Sequence, residues 1–509
     1  MFFKKSRYEV AGFSLFFLYL FVNLQQNCKD KMEKRLPHPL IAAIPLVVLI
    51  GLLAVVIALF GSDSLSGGSQ VSLLIGSAVC VFISMVFYRE PWKAFEQQIE
   101  KTVGGVAVTI LILLAVGMLA GSWMVSGVVP TLIYYGVQLL SPQFFLVCAC
   151  VICALVSLLS GSSWTTIATI GVALLGISHA LDINEAMAAG AIISGAYFGD
   201  KMSPLSDTTI LASSSTGVDI FTHIRYMMYT TMPAFLLTLV IFAEIGFGKG
   251  GDDVVHVGQY TEGLGSTFNI SLWTLLVPVL TGVLIAKRMS SLIVLFLSAL
   301  MAGITAIILQ PHILMEIAGD ASLSTVAALT KGLVMTYYGP TAVETGSAEI
   351  NELVLTGGMT GMLNTIWLVV CAMCFGAVMV ASGMIESITR MVIRWVKSRV
   401  GLVASTASTG LFLNVATGDQ FISIVLTANM FKNVYEKQGY EPRLLSRTAE
   451  DSATVTSVLV PWNTCGMTQS TVLGVATIAY LPYCFFNILS PLMTILVAAL
   501  GWKIRRVKG

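Results

Sequence analysis

The residues with the clearest capacity for chemistry lie in one polar stretch, positions 198–209, between segments that are otherwise apolar. It contains Asp200, Lys201, Asp207, four hydroxyl side chains and Pro204. In a lipid bilayer each such charge costs about 2.5–3.5 kcal/mol on insertion scales, so bound ions or paired charges must offset it. Pro204 also removes a backbone donor and leaves carbonyls free to face the same cavity. The stretch therefore predicts a broken helix with a cation site, and the alternative reading is a cytoplasmic loop between two short helices.

The composition places this stretch in a membrane. Of 509 residues, 56% are hydrophobic and 11% are charged, whereas soluble domains carry about 25% charged residues. We therefore expect an all-α polytopic membrane protein. The net charge of +1 argues against a nucleic-acid partner. The nine cysteines fall mostly in apolar runs without a nearby histidine, so we interpret them as core side chains rather than metal ligands or disulfides.

Lysines and arginines mark the cytoplasmic ends of the apolar segments. The apolar segment 40–60 is followed by a loop without lysine or arginine, whereas the segment 71–88 leads directly to Arg89 and Lys93. This pattern places the amino end of the core in the cytoplasm. The basic residues within 503–508 place the carboxyl tail on the same side.

Two apolar segments are interrupted by polar tips. Residues 142–178 are too long for one span and too short for two full ones, and they contain Ser160-Gly161-Ser162-Ser163. Residues 401–431 begin and end beside basic residues and contain Ala416-Thr417-Gly418-Asp419-Gln420. Each pattern predicts a re-entrant hairpin with its polar tip inside the membrane.

A broken helix is predicted after each hairpin, and the loop charges give the two halves opposite orientations. Residues 185–215 contain the first break, and residues 444–478 contain the second, at Pro461-Trp462-Asn463-Thr464. This plan predicts two inverted-topology repeats, with the site where the tips meet the breaks. The predicted parts are an amino-terminal extension (1–31), interpreted as dispensable or as an upstream misread start, a first repeat (32–248), an external linker (249–267), a second repeat (268–500) and a basic cytoplasmic tail (501–509).

A hard monovalent cation is bound by several oxygens from carboxylates, hydroxyls and carbonyls. The candidate residues for binding Na+ and H+ come from both tips and both broken helices: Ser162, Ser163, Asp200, Ser206, Asp207, Thr208, Asp419, Asp451, Asn463 and Thr464. A carboxylate buried in low dielectric favours the proton, so proton and sodium compete for the same oxygens. One such site, exposed alternately to the two sides, makes an antiporter.

Three further charged residues are predicted to act as partners of the site. Glu450 and Asp451 point about 100° apart on a helix, so both cannot face one cavity well. We expect Asp451 to face the site and Glu450 to pair with Arg447, one helical turn back. Lys201 has two readings, as the counter-ion of Asp200 when no sodium is bound or as a group near the mouth of the cavity.

Four of these stretches resemble the NhaC family of Na+/H+ antiporters. They read GAYFGDKMSPLSDTT at 195–209, DIFTHIR at 219–225, SRTAEDS at 446–452 and PWNTCG at 461–466. The resemblance runs from about Met32 to the carboxyl end. It implies two hairpins in inverted repeats, an oligomer that we expect to be a homodimer in the cytoplasmic (inner) membrane, and exchange of Na+ or Li+ for H+. The family pattern continues with Asn where this chain has Ile210, which removes one oxygen.

The resemblance leaves the substrate open. We expect Na+/H+ exchange, with sodium- or proton-coupled exchange of small organic acids (malate, lactate) or amino acids as the alternative. An organic anion would favour a fixed positive charge or paired helix amino ends near the site, and Lys201 is the lysine nearest the first break. A channel or membrane sensor is a third class, in which two symmetric breaks would have no purpose. A P-loop, a metal-binding histidine pair and a nucleophile elbow are absent from the sequence, so we expect no enzymatic activity and no cofactor besides the transported ions.

Overall fold

The computed structural model describes residues 36–60, 67–247, 254–394, 396 and 398–506. The interpretation of residues 1–31 as a dispensable extension lies outside the described residues, as does the end of the predicted basic tail.

The first half of the chain is a succession of helices that leads to a hairpin and a broken helix. Its first helices are α1 (Pro39–Ala42), α2 (Ile44–Phe60), α3 (Gly68–Tyr88), α4 (Trp92–Gly105), α5 (Ala107–Val125) and α6 (Val128–Leu139). Hairpin 1 comprises α7 (Pro142–Ser160), α8 (Ser163–Thr166), a π-helical turn (Ile167–Gly171) and α9 (Val172–Ala180). It is followed by α10 (Glu185–Met202), α11 (Asp207–Thr216) and α12 (Ile220–Phe247). We call Gly161–Ser162 tip 1 and the four residues 203–206 break 1.

The second half also leads through a succession of helices to a hairpin, a broken helix and a final long helix. It begins with α13 (Val254–Thr267), a 3-10 turn (Leu272–Leu275), α14 (Leu276–Ala286), α15 (Ser291–Leu309), α16 (Pro311–Ala318), α17 (Thr325–Tyr338), α18 (Ala348–Val354), a 3-10 turn (Thr360–Met362), α19 (Leu363–Ala381) and α20 (Met384–Arg394). Hairpin 2 comprises α21 (Arg399–Thr417) and α22 (Gln420–Lys437). The broken helix comprises α23 (Pro442–Ala449), a π-helical turn (Glu450–Thr454), a 3-10 turn (Ser457–Leu459) and α24 (Thr464–Leu473), and the chain ends with α25 (Thr477–Tyr480), a 3-10 turn (Leu481–Tyr483) and α26 (Phe485–Leu500). We call 418–419 tip 2 and 460–463 break 2.

Nine helices of the described residues are long and apolar enough to cross a membrane, or up to eleven if each sharply bent pair is one span. The expectation of an all-α polytopic membrane protein is therefore confirmed. The eight cysteines of the described residues are free thiols, and six of them are buried, as expected of core side chains.

The two arms of hairpin 1 are longer than the sequence suggested. They contain 19 and 18 residues, and each is long and apolar enough to cross a membrane. The length argument for re-entry was wrong because tip 1 uses only two residues and almost all the others are helical. A re-entrant path in the membrane stays a prediction.

The helices that surround the hairpins pack in a reciprocal way. Helix α3 of the first half packs against α19 of the second. Helix α15 is the counterpart of α3 in the second half, and it packs against α5 of the first. Helices α12 and α26 pack against each other, and each also packs on the first arm of the hairpin in its own half. This reciprocity is what two related halves produce, whereas their opposite orientation and the boundaries at 248 and 268 stay predictions. Part of the predicted linker is the helix α13, which packs against α6.

Helix α10 is fixed against α7 through two glycines one helical turn apart. A Cβ on Gly195 would overlap the carbonyl oxygen of Cys150, and a Cβ on Gly199 would overlap that of Ala154. Glycines spaced by four residues let two helices approach closely inside a membrane. The hydroxyl of Ser157 on α7 donates to the carbonyl of Ala196 at 2.6 Å. This contact positions the end of α10, where the first charged residues lie.

Candidate functional site

Break 1 lies against tip 1, and a buried carboxylate on α10 joins the helices beside them. Asp200 Oδ2 accepts hydrogen bonds from Ser163 N at 3.0 Å and from Ser163 Oγ at 2.7 Å. Gly161 has a left-handed backbone (φ +67°), and a Cβ there would lie 2.7 Å from Leu205 Cβ, which explains why this position needs glycine. Ser162 caps α8 by accepting from Thr165 N at 3.2 Å. The predicted meeting of the first tip with the first break is therefore present.

A chain of hydroxyl groups leads from break 1 to the second half of the protein. Ser206 caps α11, and its Oγ lies 2.9 Å from Thr208 Oγ1. Thr208 Oγ1 donates to Glu450 Oε1 at 3.2 Å. Glu450 is fully buried, and its Oε2 has no hydrogen-bond partner among the described residues. The expectation that Glu450 turns away from the site is thus wrong, and it faces break 1.

The side chains of Ser206 and Thr208 border a cavity of about 90 Å³. Its lining residues are Thr109, Ile112, Gly161, Ser162, Trp164, Asp200, Ser206, Asp207, Thr208, Ser291, Gln420 and Phe421. Asp200 is 6% exposed, whereas Asp207 is exposed and borders the cavity from its edge. Since a water molecule occupies about 30 Å³ in the liquid, the cavity suits a small cation that keeps part of its hydration shell.

Lys201 forms a different contact from the two that were predicted. Its Nζ pairs with Asp451 Oδ1, donates to Ser490 Oγ at 3.0 Å and lies 5.7 Å from the centre of the Phe486 ring. Both Lys201 and Asp451 are 0% exposed, so the reading of Lys201 as a group at the cavity mouth is wrong. It is a counter-ion, but of Asp451 rather than Asp200, because Asp200 is already held by Ser163.

Arg447 also faces Asp451 instead of Glu450. Its Nε lies 3.9 Å from Asp451 Oδ2, four residues along the helix, and its guanidinium carbon lies 4.5 Å from the centre of the Tyr226 ring. The guanidinium is fully buried, and none of its three nitrogens has a hydrogen-bond partner among the described residues. The expected pairing with Glu450 fails because the π-helical turn at 450–454 widens the helix there and Glu450 faces Thr208.

Break 2 and tip 2 repeat the local chemistry of the first pair. Thr464 N donates to the carbonyl of Gly418 at 2.8 Å. Asn463 caps α24 by accepting from Cys465 N at 3.0 Å, and its amide donates to the carbonyl of Asn414 at 3.2 Å. Asp419 caps α22 by accepting from Ile422 N at 2.8 Å. The second pair of polar elements is therefore also formed.

None of the four candidate residues of the second half borders the cavity at Asp200, and Asp451 is instead paired with Lys201. Asn463 and Thr464 do not border it, and Asp419, although 4% exposed, borders a neighbouring cavity. Gln420, beside Asp419 in tip 2, reaches the cavity at Asp200 and was missed as a site residue. Its position within a predicted polar tip was a signal that could have identified it.

The side chains around the cavity at Asp200 offer a cation carboxylate, hydroxyl and amide oxygens rather than sulfur or imidazole nitrogen. Within the described residues, no group of three or more His, Cys, Asp or Glu side chains could hold a metal ion. Carboxylate, hydroxyl and amide oxygens are the ligands of hard cations such as Na+. The cavity at Asp200 can therefore bind a sodium ion or a proton, but it lacks the thiolate and imidazole ligands of a transition-metal site.

Comparison with known proteins gives consistent results. The model of the Na+/H+ antiporter family matches residues 195–502. The chain is 39% identical over 427 residues to the Na+/H+ antiporter NhaC of Alkalihalophilus pseudofirmus, which covers 83% of this chain and 89% of the relative. It is 34% identical to NhaC of Bacillus subtilis, over 83% of this chain and 90% of the relative. The malate-2H+/Na+-lactate antiporter of Bacillus subtilis is also 34% identical, over 78% of this chain and 82% of the relative.

Proposed function

Because the chain belongs to the Na+/H+ antiporter family, as its resemblance to NhaC proteins predicted, we propose that it exchanges Na+, or Li+, for H+ across the cytoplasmic membrane by alternating access. The observation that carries this proposal is the buried carboxylate of Asp200 at a cavity of about 90 Å³. Ser163 positions one of its oxygens, and the hydroxyls of Ser206 and Thr208 border the same space.

Competition at Asp200 couples the two ions. A buried carboxylate without a counter-ion is unfavourable, so Asp200 holds either a proton or a cation. Glu450 supplies a second carboxylate, connected to the cavity through Thr208. Asp451 is held by Lys201 and faces Arg447, so its role is that of a counter-ion which keeps two buried positive charges in place.

The tips and breaks provide the means of alternating access. Each hairpin tip holds a break of its own half, and Lys201 and Thr208 connect the first half to Asp451 and Glu450 of the second. The amino end of the core and the carboxyl tail lie in the cytoplasm, and the functional unit is a homodimer. Opposite orientation of the halves then gives the site one route to each side of the membrane.

Exchange of an organic acid is the alternative, and the malate-2H+/Na+-lactate antiporter is a relative that supports it. The volume at Asp200 favours the inorganic cation, because about 90 Å³ corresponds to roughly three water molecules. The charge favours it too, since Asp200 and Asp207 border this cavity while Lys201 is turned to Asp451.

Everted membrane vesicles test the proposal. With an imposed proton gradient and no organic solute, we expect NaCl to dissipate the gradient in vesicles containing the wild-type chain. Asp200→Asn should abolish this response while the protein still inserts, and Asp320→Asn, at an exposed carboxylate elsewhere, should leave it unchanged. A gradient that collapses only when malate, lactate or an amino acid is added would support the alternative and contradict Na+/H+ exchange.

A further inference from the structure

Two cavities of very different size lie side by side at the start of α22. The cavity at Asp200 has a volume of about 90 Å³, and its neighbour has a volume of about 600 Å³. Two residues line both cavities, Thr109 of α5 and Phe421 of α22. The side chains of these two residues therefore form the boundary between them.

The two cavities also differ in chemistry. Most residues around the small one carry a carboxylate, hydroxyl or amide group, whereas the walls of the large one are mostly apolar and include Leu211, Val380, Val425 and Leu426. A volume of about 600 Å³ is within the range of about 300–1,000 Å³ that holds organic molecules. An organic cation thus fits the large cavity by volume but not the cavity at Asp200.

We propose that Phe421 is a specificity-determining residue, whose ring keeps the space around Asp200 small enough to admit inorganic cations and to exclude organic ones. This inference rests on the proposed function, because it concerns which cations reach the same site.

The position of Phe421 is fixed by the local structure of tip 2. Asp419 caps α22 by accepting from Ile422 N, which holds the first turn of this helix in place. Phe421 is the second residue of that turn, and its side chain is 40% exposed, so it borders both open spaces rather than filling a core. Thr109 is much smaller, so removal of the Phe421 ring would join the two cavities.

The test compares Phe421→Ala with Ile422→Ala, a variant at the adjacent residue that borders only the large cavity. Purified protein is reconstituted in liposomes with a pH-sensitive dye inside, and NaCl or tetramethylammonium chloride is added outside. Tetramethylammonium carries a permanent charge and cannot cross the bilayer as a neutral base. We expect wild type and Ile422→Ala to respond to Na+ and to be insensitive to tetramethylammonium. Phe421→Ala should respond to tetramethylammonium, or its Na+ response should be inhibited by tetramethylammonium at a concentration at least about tenfold below any that affects wild type.

Phe421→Trp tests the same boundary in the opposite direction, by making the side chain at this position larger. A larger ring narrows the boundary, so we expect a higher KM for Na+ and an unchanged exclusion of tetramethylammonium. If Phe421→Ala and Phe421→Trp both behaved as wild type, the inference would be overturned, while the proposal of Na+/H+ exchange would stand. A wild-type protein that does not respond to Na+ would instead overturn the proposed function.

Discussion

Lys201 from the first half of the chain and Asp451 from the second form an ion pair in which neither side chain is exposed. Ser490 accepts a hydrogen bond from Lys201 at 3.0 Å, and Arg447 Nε lies 3.9 Å from the other oxygen of Asp451. Removal of one partner of a buried pair leaves a charge without compensation in low dielectric. The pair therefore joins the two halves at the residue that follows Asp200, which borders the cation cavity.

Lys201→Met is expected to lower the free energy of unfolding by about 3–5 kcal/mol, because Asp451 is left buried beside Arg447 alone. The double variant Lys201→Met with Asp451→Leu should be no more stable than Lys201→Met, since it leaves the buried guanidinium of Arg447 without a carboxylate beside it. Denaturant unfolding in detergent micelles measures both values. Lys331→Met is the matched control: its pair with Asp320 at 4.0 Å is exposed, so the loss should be below about 1 kcal/mol. Equal losses in the two lysine variants would contradict the role of burial.

Tyr226 is predicted to stabilise Arg447 through its ring rather than its hydroxyl. Tyr226→Leu removes both the aromatic face 4.5 Å from the guanidinium and the hydroxyl, and should cost about 3 kcal/mol, of which the ring accounts for about 2 kcal/mol. Tyr226→Phe keeps that face and loses only the hydrogen bond to the carbonyl of Lys503 at 3.2 Å, so it should cost about 1 kcal/mol. Unfolding of the two variants under the same conditions gives the comparison, and a Phe variant as unstable as the Leu variant would show that the hydroxyl is what matters.

Gly199→Ala is expected to destabilise the protein by about 1–3 kcal/mol, because its Cβ overlaps the carbonyl of Ala154 on α7. The displacement of α10 should also reduce Na+ exchange, since Asp200 is the next residue. Gly104→Ala in α4 meets open space, so it should change stability by at most about 1 kcal/mol, and in the stabilising direction. Melting temperatures and transport rates of both variants check the prediction, which fails if Gly199→Ala behaves like Gly104→Ala.

Asp207→Asn should have a smaller effect than Asp200→Asn, because Asp207 is exposed at the edge of the cavity. An exposed charge about 4 Å from a cation contributes about 1 kcal/mol in water, which corresponds to a KM for Na+ roughly fivefold higher in the variant at low ionic strength. Choline chloride should reduce this difference through screening. Measured KM values at low and high choline chloride provide the test. Complete loss of exchange at both would show instead that Asp207 binds the cation directly.

Much of the fold could be predicted from local patterns. The apolar lengths and the few charges indicate a polytopic helical protein because each span must satisfy its own backbone hydrogen bonds. The polar interruptions at 160–163, 198–209, 416–420 and 461–464 contain or overlap the tips and breaks of the structure. Serine, aspartate and asparagine cap the helices that restart there, which is a local property of these residues. The hairpin arms were misjudged because helix could continue almost up to Gly161.

The partners of the charged residues could not be predicted in the same way. Lys201 and Asp451 are separated by 250 positions, and no local rule relates them. Helical spacing allowed Arg447 to pair with either Glu450 or Asp451, and the π-helical turn together with Thr208 decided between them.

The sequence by itself determined which segments are helical, where the helices are interrupted and which side chains are polar within an apolar chain, because these depend on neighbouring residues and on the cost of burying charge. Only the tertiary structure decided that Asp200 borders a cavity of ion size, whereas Asp451 forms an ion pair with Lys201. It also decided that Phe421 borders both a small and a large cavity. Distances across the packed helices settle these relationships, and packing brings together residues that are hundreds of positions apart.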